Sequence, residues 1–251
     1  MQTMRTIFSG LIPLVAAIAG AQNQPLVFKS APTQTALLEL FTSEGCSSCP
    51  PAERWLTSLK ESAGLWKEFV PVAFHVDYWD YLGWRDPWSS RDFTDRQRTY
   101  AMLWGTGSVY TPGFVLDGKE RRDLSGLKDN LGTSDAQVGA LRVSSSDLRH
   151  WQVWFTPVAP VRENYEIHAA LLASGLTSDV KAGENRGRRL NHDFVVTALT
   201  KSPLRTDKRN AWGQVVLNKT VTGQPGRPAL AVWVTRSGRP ESIQAVGGWL
   251  R

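Results

Sequence analysis

Cys46 and Cys49 are the only cysteines in this chain of 251 residues, and two serines separate them. A disulfide between them would close a very small loop. Because stabilisation by a disulfide grows with loop length, it would add little to the fold, so thiol chemistry explains the pair better than cross-linking does. In disulfide exchange, a thiolate attacks a disulfide and a second thiol resolves the mixed product. We predict Cys46 as the attacking thiol and Cys49 as the resolving thiol.

The elements around the pair fit this chemistry. Apolar residues over 36–42 predict a buried strand that ends just before the cysteines. Pro50 and Pro51 suit the first turn of a helix, so we predict that a helix begins at the cysteine pair. A second buried strand is predicted at 68–77. This order predicts a βαβ unit with parallel strands. A thiol at the start of its helix meets the positive end of the helix dipole, which favours the thiolate.

The chain then carries a long insertion, residues 78–108, in which Ser90 or Asp92 caps a predicted helix. A hairpin follows with its first strand at 114–116, and residues 134–143 predict a short final helix. This order resembles the thioredoxin plan, so we expect an α/β, thioredoxin-like N-terminal domain over residues 22–146.

Residues 147–251 follow a different pattern. Six strand-like segments alternate with turn residues, which predicts a small, sandwich-like all-β domain. The segments are WQVWFTPV, EIHAALLAS, HDFVVTALT, AWGQVVLN, ALAVWVTR and ESIQAVGG.

Resemblance to thioredoxins implies two further site features. A cis-proline precedes the third strand of thioredoxins and lies against the cysteine pair, so we expect a cis bond between Thr111 and Pro112, with a backbone edge free for a substrate peptide. Thioredoxins also keep a buried acid as a proton shuttle. Glu39 is the candidate because its strand is otherwise apolar, and the alternative is a partnered structural acid. Glu44 is nearer in sequence, but we expect it to be exposed.

Polar and aromatic residues follow the second strand, at the edge of the sheet where ligands of open α/β sheets bind. We predict a substrate site there, with an aromatic packing insert as the alternative. Its members are His75, Asp77, Tyr78, Trp79 and Asp80. Tyr110 and Gly113 flank the Thr-Pro pair and complete the predicted site.

Several runs together resemble one family of secreted bacterial thioredoxin-like proteins, the domain of unknown function twelve twenty-three. These runs are LELFTSEGCSSCPPAE, HVDYWD, RQ-x-x-Y, VYTP and GENRGRRLNHDFVV. The resemblance implies a thioredoxin-like fold with a β-rich C-terminal part and supplies no substrate. Gly113 departs from the glutamine expected after VYTP, and Gly45 stands where thioredoxins have tryptophan. The charged loop at 183–196 is expected to be solvated, with folding back over the cysteines or binding of an anionic partner as the alternatives.

Residues 1–21 read as a secretory signal peptide, with Arg5 before an apolar run and a small-residue cleavage site. We therefore expect an exported protein, periplasmic or extracellular, without stable membrane insertion. The formal net charge is +6, and the cationic residues concentrate in the second half. They are scattered rather than clustered, which favours a solvated surface, and we expect no nucleic-acid partner.

The sequence favours an exported thiol–disulfide oxidoreductase that acts on a protein or small-molecule disulfide or dithiol. No cofactor is expected and no metal ligands are assigned, while the sequence leaves open whether a metal is bound. One alternative is a copper(I)-handling chaperone with His75 as a third ligand beside the two thiolates. Another is a non-catalytic binding module. The sequence leaves the direction of electron transfer and the oligomeric state open.

Overall fold

The computed structural model describes residues 24–124, 126–127, 131–132, 134–219, 221, 223 and 225–250, so the predicted signal peptide lies outside the described residues. The two helices are α1 (Cys49–Thr57) and α2 (Arg91–Trp104), with 3₁₀ turns at Ser58–Glu61 and Asp80–Leu82. The strands are β1 (Leu26–Lys29), β2 (Ala36–Thr42), β3 (Phe69–His75), β4 (Gly113–Leu116), β5 (Lys119–Arg121), β6 (Gly139–Ser145), β7 (His150–Pro157), β8 (Tyr165–Ser174), β9 (Leu176–Asp179), β10 (Arg189–His192), β11 (Val195–Pro203), β12 (Arg205–Thr206), β13 (Ala211–Val216), β14 (Arg227–Arg236) and β15 (Ser242–Trp249).

One large mixed sheet has the strand order β15-β14-β8-β11-β3-β2-β4-β5. β3 runs parallel to both β2 and β11, and the other neighbours are antiparallel. The parallel pairing of β2 with β3 confirms the predicted βαβ unit around α1. The two halves of the chain join through the pair β3–β11, in which Ala73 lies opposite Val195.

The predicted fold class, a thioredoxin-like α/β domain with a long insertion followed by a small all-β sandwich domain, is wrong. The structure is mostly β, with 45% strand and 14% helix. The six predicted strand segments are strands, but four of them (β8, β11, β14 and β15) extend the sheet that contains β2–β5. The physical reason is visible in β8 and β14, which are buried on both faces along most of their length. Such strands need cover on both sides, which a small two-layer sandwich does not supply.

A second, five-stranded antiparallel sheet has the order β1-β6-β7-β13-β12, and β9 pairs with β10 in a small ribbon. Residues of β7 alternate between exposed and buried, as expected for a strand with one face in a core. Its inner side chains, Trp151 and Phe155 among them, pack on β8 and β14. The helix predicted at 134–143 is wrong, because residues 139–145 form β6 and their burial alternates with a period of two.

The large sheet is covered on both faces. α1 and the five-stranded sheet lie on one face, and α2 lies on the other. Because successive side chains of a strand point to opposite faces, Leu38 and Leu40 of β2 pack with Leu56 of α1, whereas Phe41 packs against Tyr100 of α2.

α2 is the helix predicted within the insertion, and its start matches the prediction. The Ser90 hydroxyl accepts a hydrogen bond from the backbone N–H of Asp92 at 3.3 Å, so Ser90 is the N-cap. Gly105 ends the helix in the left-handed conformation. Among the described residues, neither helix has the length and apolar character needed to cross a membrane.

Candidate functional site

The cysteine pair lies at the carboxyl end of β2, where the chain turns into α1. Cys49 is the first residue of α1, and Pro50 and Pro51 follow it in the first turn. Proline is tolerated there because the N–H groups of the first turn have no hydrogen-bond partner within the helix. Cys46 lies in the preceding turn, and its backbone N–H donates to the carbonyl oxygen of Ser43 at 3.2 Å. Both thiols are free, and both residues are buried.

Cys46 lies in surroundings that favour its thiolate. The thiol of Cys49 hydrogen-bonds to its sulfur, and this bond is the largest effect that lowers the pKa of Cys46, to about 6. The Ser48 hydroxyl, 3.2 Å from Cys46 Sγ, lowers the pKa further, and burial opposes both. Hydrogen bonds to the charged form stabilise it, so Cys46 is largely ionised at neutral pH.

Cys49 has the opposite character. Burial raises its pKa well above the usual range, and the hydrogen bond with Cys46 raises it further. Cys49 therefore stays protonated while Cys46 carries the charge. The pair holds one nucleophile and one proton donor, which is the arrangement that attack and resolution require.

The Thr111–Pro112 peptide bond is cis, as predicted. The carbonyl oxygen of Thr111 lies 3.7 Å from Cys46 Sγ, within reach of a hydrogen bond from the thiol. The Thr111 hydroxyl accepts a hydrogen bond from Trp79 Nε1 at 2.7 Å. These contacts hold the segment before β4 against Cys46.

An open pocket of about 690 Å³ lies beside the cysteine turn, and Ser48 is part of its lining. Apolar and aromatic side chains make up most of the lining, and two arginines join them. The lining includes Pro51, Ala52, Trp55, Tyr110, Pro112, Phe114, Arg121, Arg122 and Leu124. Gln97 Nε2 donates to the backbone carbonyl of Tyr110 at 2.6 Å, which fixes this wall. The pocket suits an apolar group placed next to a disulfide.

The charged loop at 183–196 does fold back over the cysteine turn, which was an alternative to the expected solvated loop. Asn185 is buried, and its Nδ2 donates to the carbonyl oxygens of Cys46, at 2.8 Å, and Glu44, at 2.9 Å. The backbone N–H of Ser47 donates to Glu184 Oε2 at 2.8 Å. The loop therefore fixes the backbone of the turn that carries Cys46.

Behind the turn lies a buried network centred on His192. Its Nδ1 is 2.6 Å from Glu53 Oε2, and its Nε2 is 2.9 Å from Glu44 Oε1. Burial disfavours the charged imidazolium, but hydrogen bonds with both carboxylates outweigh this and raise the pKa of His192 to about 10. The expectation that Glu44 is exposed is wrong, because Glu44 is fully buried and also accepts from Trp84 Nε1 at 2.6 Å.

His75 extends this network. It is fully buried, its Nδ1 is 2.7 Å from Asp86 Oδ2, and its ring lies 5.1 Å from that of His192. Burial disfavours its charged form, but the Asp86 carboxylate raises the pKa of His75 overall. Among the described residues, no hydrogen-bond partner faces its Nε2. One atom each from Glu53, His75 and His192 lie within 4.8 Å of one another, so these residues are able to hold a metal ion.

The structure does not bring Glu39 to the cysteines. Glu39 and Thr42 are three positions apart in β2, and an odd spacing points their side chains to opposite faces of the sheet. Thr42 faces α1, where its hydroxyl donates to Glu53, so Glu39 faces away from the helix that begins at the cysteine pair. Glu39 Oε2 accepts from Arg96 Nε at 2.6 Å, and Oε1 accepts from the Tyr100 hydroxyl at 2.5 Å. These contacts match the alternative expectation of a partnered structural acid.

The predicted substrate residues divide into two groups. Trp79, Tyr110 and Gly113 lie beside Pro112, and the Tyr78 hydroxyl donates to Gln97 behind them at 3.2 Å. The others belong to structural networks: His75 joins the buried cluster, the Asp77 carboxylate accepts from Thr94 at 2.5 Å, and the Asp80 carboxylate accepts from Ser89 at 3.0 Å.

Three residues of the buried network were missed from the sequence: Glu53, His192 and Asp86. Glu53 follows Cys49 by four positions, so both project from the same side of α1. That spacing is the signal for Glu53, since an acid on the inner face of a helix needs a partner. His192 lies in the charged loop at 183–196, whose folding over the cysteines was one of the expectations, but nothing in the sequence paired it with Glu53. Asp86 lies in the insertion, and its neighbours gave no such signal.

Comparisons with known proteins identify a family and a fold. The model of a family described as "Protein of unknown function (DUF1223)" matches residues 37–235. No curated protein matches. The solved structure of protein AGR_C_4864 from Agrobacterium tumefaciens is similar, with a TM-score of 0.64 and 24% identity over 86% of this chain and 94% of that chain. HBP35 of Porphyromonas gingivalis has a TM-score of 0.60 and 13% identity over 88% of this chain and 76% of that chain. At these identities the similarity concerns the fold alone.

Proposed function

The chain belongs to the DUF1223 family, whose function is unknown. From the cysteine site we propose that it is a thiol–disulfide oxidoreductase that acts on protein or small-molecule disulfides and dithiols, and from residues 1–21 we propose that it is exported. One observation carries the proposal: two free thiols lie three positions apart where α1 begins, and Cys46 Sγ is 3.7 Å from the carbonyl oxygen of Thr111, the residue before Pro112. The electrostatics of the pair support it, because the pKa of Cys46 is lowered to about 6 and that of Cys49 is raised. A thiolate beside a protonated thiol is the combination that attack and resolution require.

In the reductive direction, the Cys46 thiolate attacks one sulfur of a substrate disulfide. A bond forms between Cys46 and that sulfur, the substrate S–S bond breaks, and the other substrate sulfur leaves as a thiolate. This thiolate accepts the proton of Cys49. The Cys49 thiolate then attacks Cys46 Sγ, which forms the Cys46–Cys49 disulfide and releases the second substrate sulfur. The substrate gains two electrons that the protein loses, and the reverse sequence oxidises a dithiol.

The surroundings of Cys46 support a substrate with an apolar group next to its disulfide. The pocket beside Ser48 offers aromatic walls from Trp55, Tyr110 and Phe114. The carbonyl oxygen of Thr111, which faces Cys46, is an acceptor for a backbone N–H of a bound peptide.

Exchange is tested with reduced protein and an aromatic-flanked disulfide peptide, followed by mass spectrometry. We expect wild type to reduce the peptide and acquire an internal disulfide, Cys46→Ser to show no exchange, and Cys49→Ser to accumulate a mixed disulfide on Cys46. Wild-type exchange no faster than that of free cysteine at the same pH would refute the proposal.

Export is tested separately, by N-terminal sequencing of the protein from fractionated cells. The proposal expects cleavage near residue 21 and recovery outside the cytoplasm. An intact N-terminus in the cytoplasmic fraction would contradict export.

A further inference from the structure

The buried cluster behind the cysteine turn has the composition of a metal centre. We propose that Glu53, His75 and His192 bind a divalent first-row transition metal, with zinc as the probe ion. The sequence indicated no metal ligands, and its copper alternative used the two thiolates. The site proposed here contains no cysteine, and it does not depend on the proposed redox activity.

The first support is the pairing of the two histidines. One nitrogen of each imidazole faces a carboxylate outside the proposed site: His75 Nδ1 is 2.7 Å from Asp86, and His192 Nε2 is 2.9 Å from Glu44. In metal centres, the ring nitrogen that does not bind the metal almost always meets a carboxylate or carbonyl. Here the pairing leaves His75 Nε2 and His192 Nδ1 as the ligand atoms. His192 Nδ1 lies 2.6 Å from Glu53 Oε2, so the metal ion takes the place of the proton that these two ligand atoms share.

The second support is an orphaned polar atom. His75 is fully buried, and within the described part of the chain its Nε2 has no hydrogen-bond partner. An unsatisfied buried polar group costs about 1–3 kcal/mol. Most buried polar atoms in folded proteins have a hydrogen-bond partner, so an unpartnered nitrogen beside two further ligand atoms indicates a site for a bound group. A bound metal ion supplies that partner.

The third support is the position of the three ligands. Glu53 lies on α1, His75 ends β3 and His192 ends β10, so each side chain is fixed by a regular element. Glu53 is held further by Thr42, whose hydroxyl donates to Glu53 Oε1 at 2.5 Å. One ligand atom from each of the three residues lies within 4.8 Å of the others, and His192 Nδ1 is 2.6 Å from Glu53 Oε2. Around a zinc ion with bonds of about 2.0–2.2 Å, tetrahedral ligand atoms stand roughly 3.3–3.6 Å apart, so His192 and Glu53 separate by roughly 1 Å when the metal binds.

Ligand type selects the metal. Two imidazoles and one carboxylate suit Zn²⁺, Co²⁺ or Fe²⁺, whereas copper(I) prefers thiolates and thioethers. Three buried carboxylates (Glu44, Glu53 and Asp86) surround the two rings, and their negative charge favours a dication over a monovalent ion.

The test uses untagged full-length protein from zinc-supplemented cells, purified without chelators and dialysed, with metal content measured by mass spectrometry. We expect about one Zn²⁺ per chain in wild type and in the Cys46→Ser/Cys49→Ser double variant. His75→Asn keeps a nitrogen near Asp86 and removes Nε2, so its zinc content should fall to background. His150→Asn, at an exposed histidine, is the matched control and should retain zinc.

Asp86→Asn guards against misfolding of the His75 variant. It removes no ligand, yet zinc affinity should weaken by about tenfold or more because the carboxylate orients His75. Competition with a chelator measures this change. Wild type without stoichiometric zinc, or His75→Asn with full zinc content, would overturn the proposal. Loss of zinc in the double cysteine variant would also overturn it, since the metal would then belong to the thiols.

Discussion

The hydrogen bond from Cys49 to Cys46 makes a quantitative prediction about the variant Cys49→Ala. This bond is the largest effect that lowers the pKa of Cys46 to about 6. A hydrogen bond to a charged group contributes about 1.5–3 kcal/mol, and one pKa unit corresponds to about 1.4 kcal/mol. Removing the donor should therefore raise the pKa of Cys46 by about 1–2 units, to roughly 7–8.

Cys49→Ser is the matched control, because its hydroxyl still donates to the Cys46 sulfur. Each variant holds a single cysteine, so alkylation by iodoacetamide as a function of pH reports Cys46 alone. The midpoint of the profile is the readout, since the plateau rate also varies with the nucleophilicity of the thiolate. We expect a midpoint near 6 for Cys49→Ser and roughly 7–8 for Cys49→Ala. A midpoint near 8.5 in both variants, the value of a free cysteine, would refute the reasoning.

Three further predictions concern stability, measured by urea unfolding. Glu39→Gln leaves the buried guanidinium of Arg96 without its ion pair, so it should lower the free energy of unfolding by about 3–5 kcal/mol and leave the midpoint of Cys46 alkylation unchanged. The control Asp95→Asn, at an exposed ion pair, should lower that free energy by less than about 1 kcal/mol. A shifted alkylation midpoint in Glu39→Gln would support Glu39 as a proton shuttle. Burial raises the pKa of Asp117 to about 6, so ionisation of this carboxyl destabilises the fold as the pH rises through that value. Asp117→Asn should therefore raise the free energy of unfolding by about 1–3 kcal/mol at neutral pH and change it little near pH 4. Equal changes at both pH values would contradict this. A Cβ on Gly45 would lie 2.8 Å from Trp79 Cβ, so Gly45→Ala should lower the free energy of unfolding by about 1–3 kcal/mol. An unchanged urea concentration at the midpoint of unfolding would show that Trp79 moves aside without cost.

The local features of the site were predictable because they depend on neighbours in sequence. Two prolines after Cys49 indicated the start of α1, and Ser90 indicated the start of α2. Each follows from backbone sterics or capping within a few residues. The cis bond before Pro112 was expected from the resemblance to thioredoxins and not from local sterics.

The fold and the buried cluster depend on distant partners. A buried strand such as β8 shows in its sequence that both faces are covered, but not that β11 and β14 lie beside it. Glu53 and His192 stand 139 positions apart, and each alone resembles an ordinary polar residue. Glu39 was misjudged for the same reason: its need for a partner was evident, but the partner was Arg96 on α2 rather than the cysteine pair.

The contact of Asn185 with the carbonyl of Cys46 has a consequence for biosynthesis. The two residues are 139 positions apart, and the pair β3–β11 also joins distant segments. A nascent chain that has emerged only as far as α2 therefore carries both thiols without the side chain that holds the backbone carbonyl of Cys46 and without the strand that pairs with β3. The backbone of the cysteine turn gains its full set of contacts only after Asn185 and β11 have been synthesised.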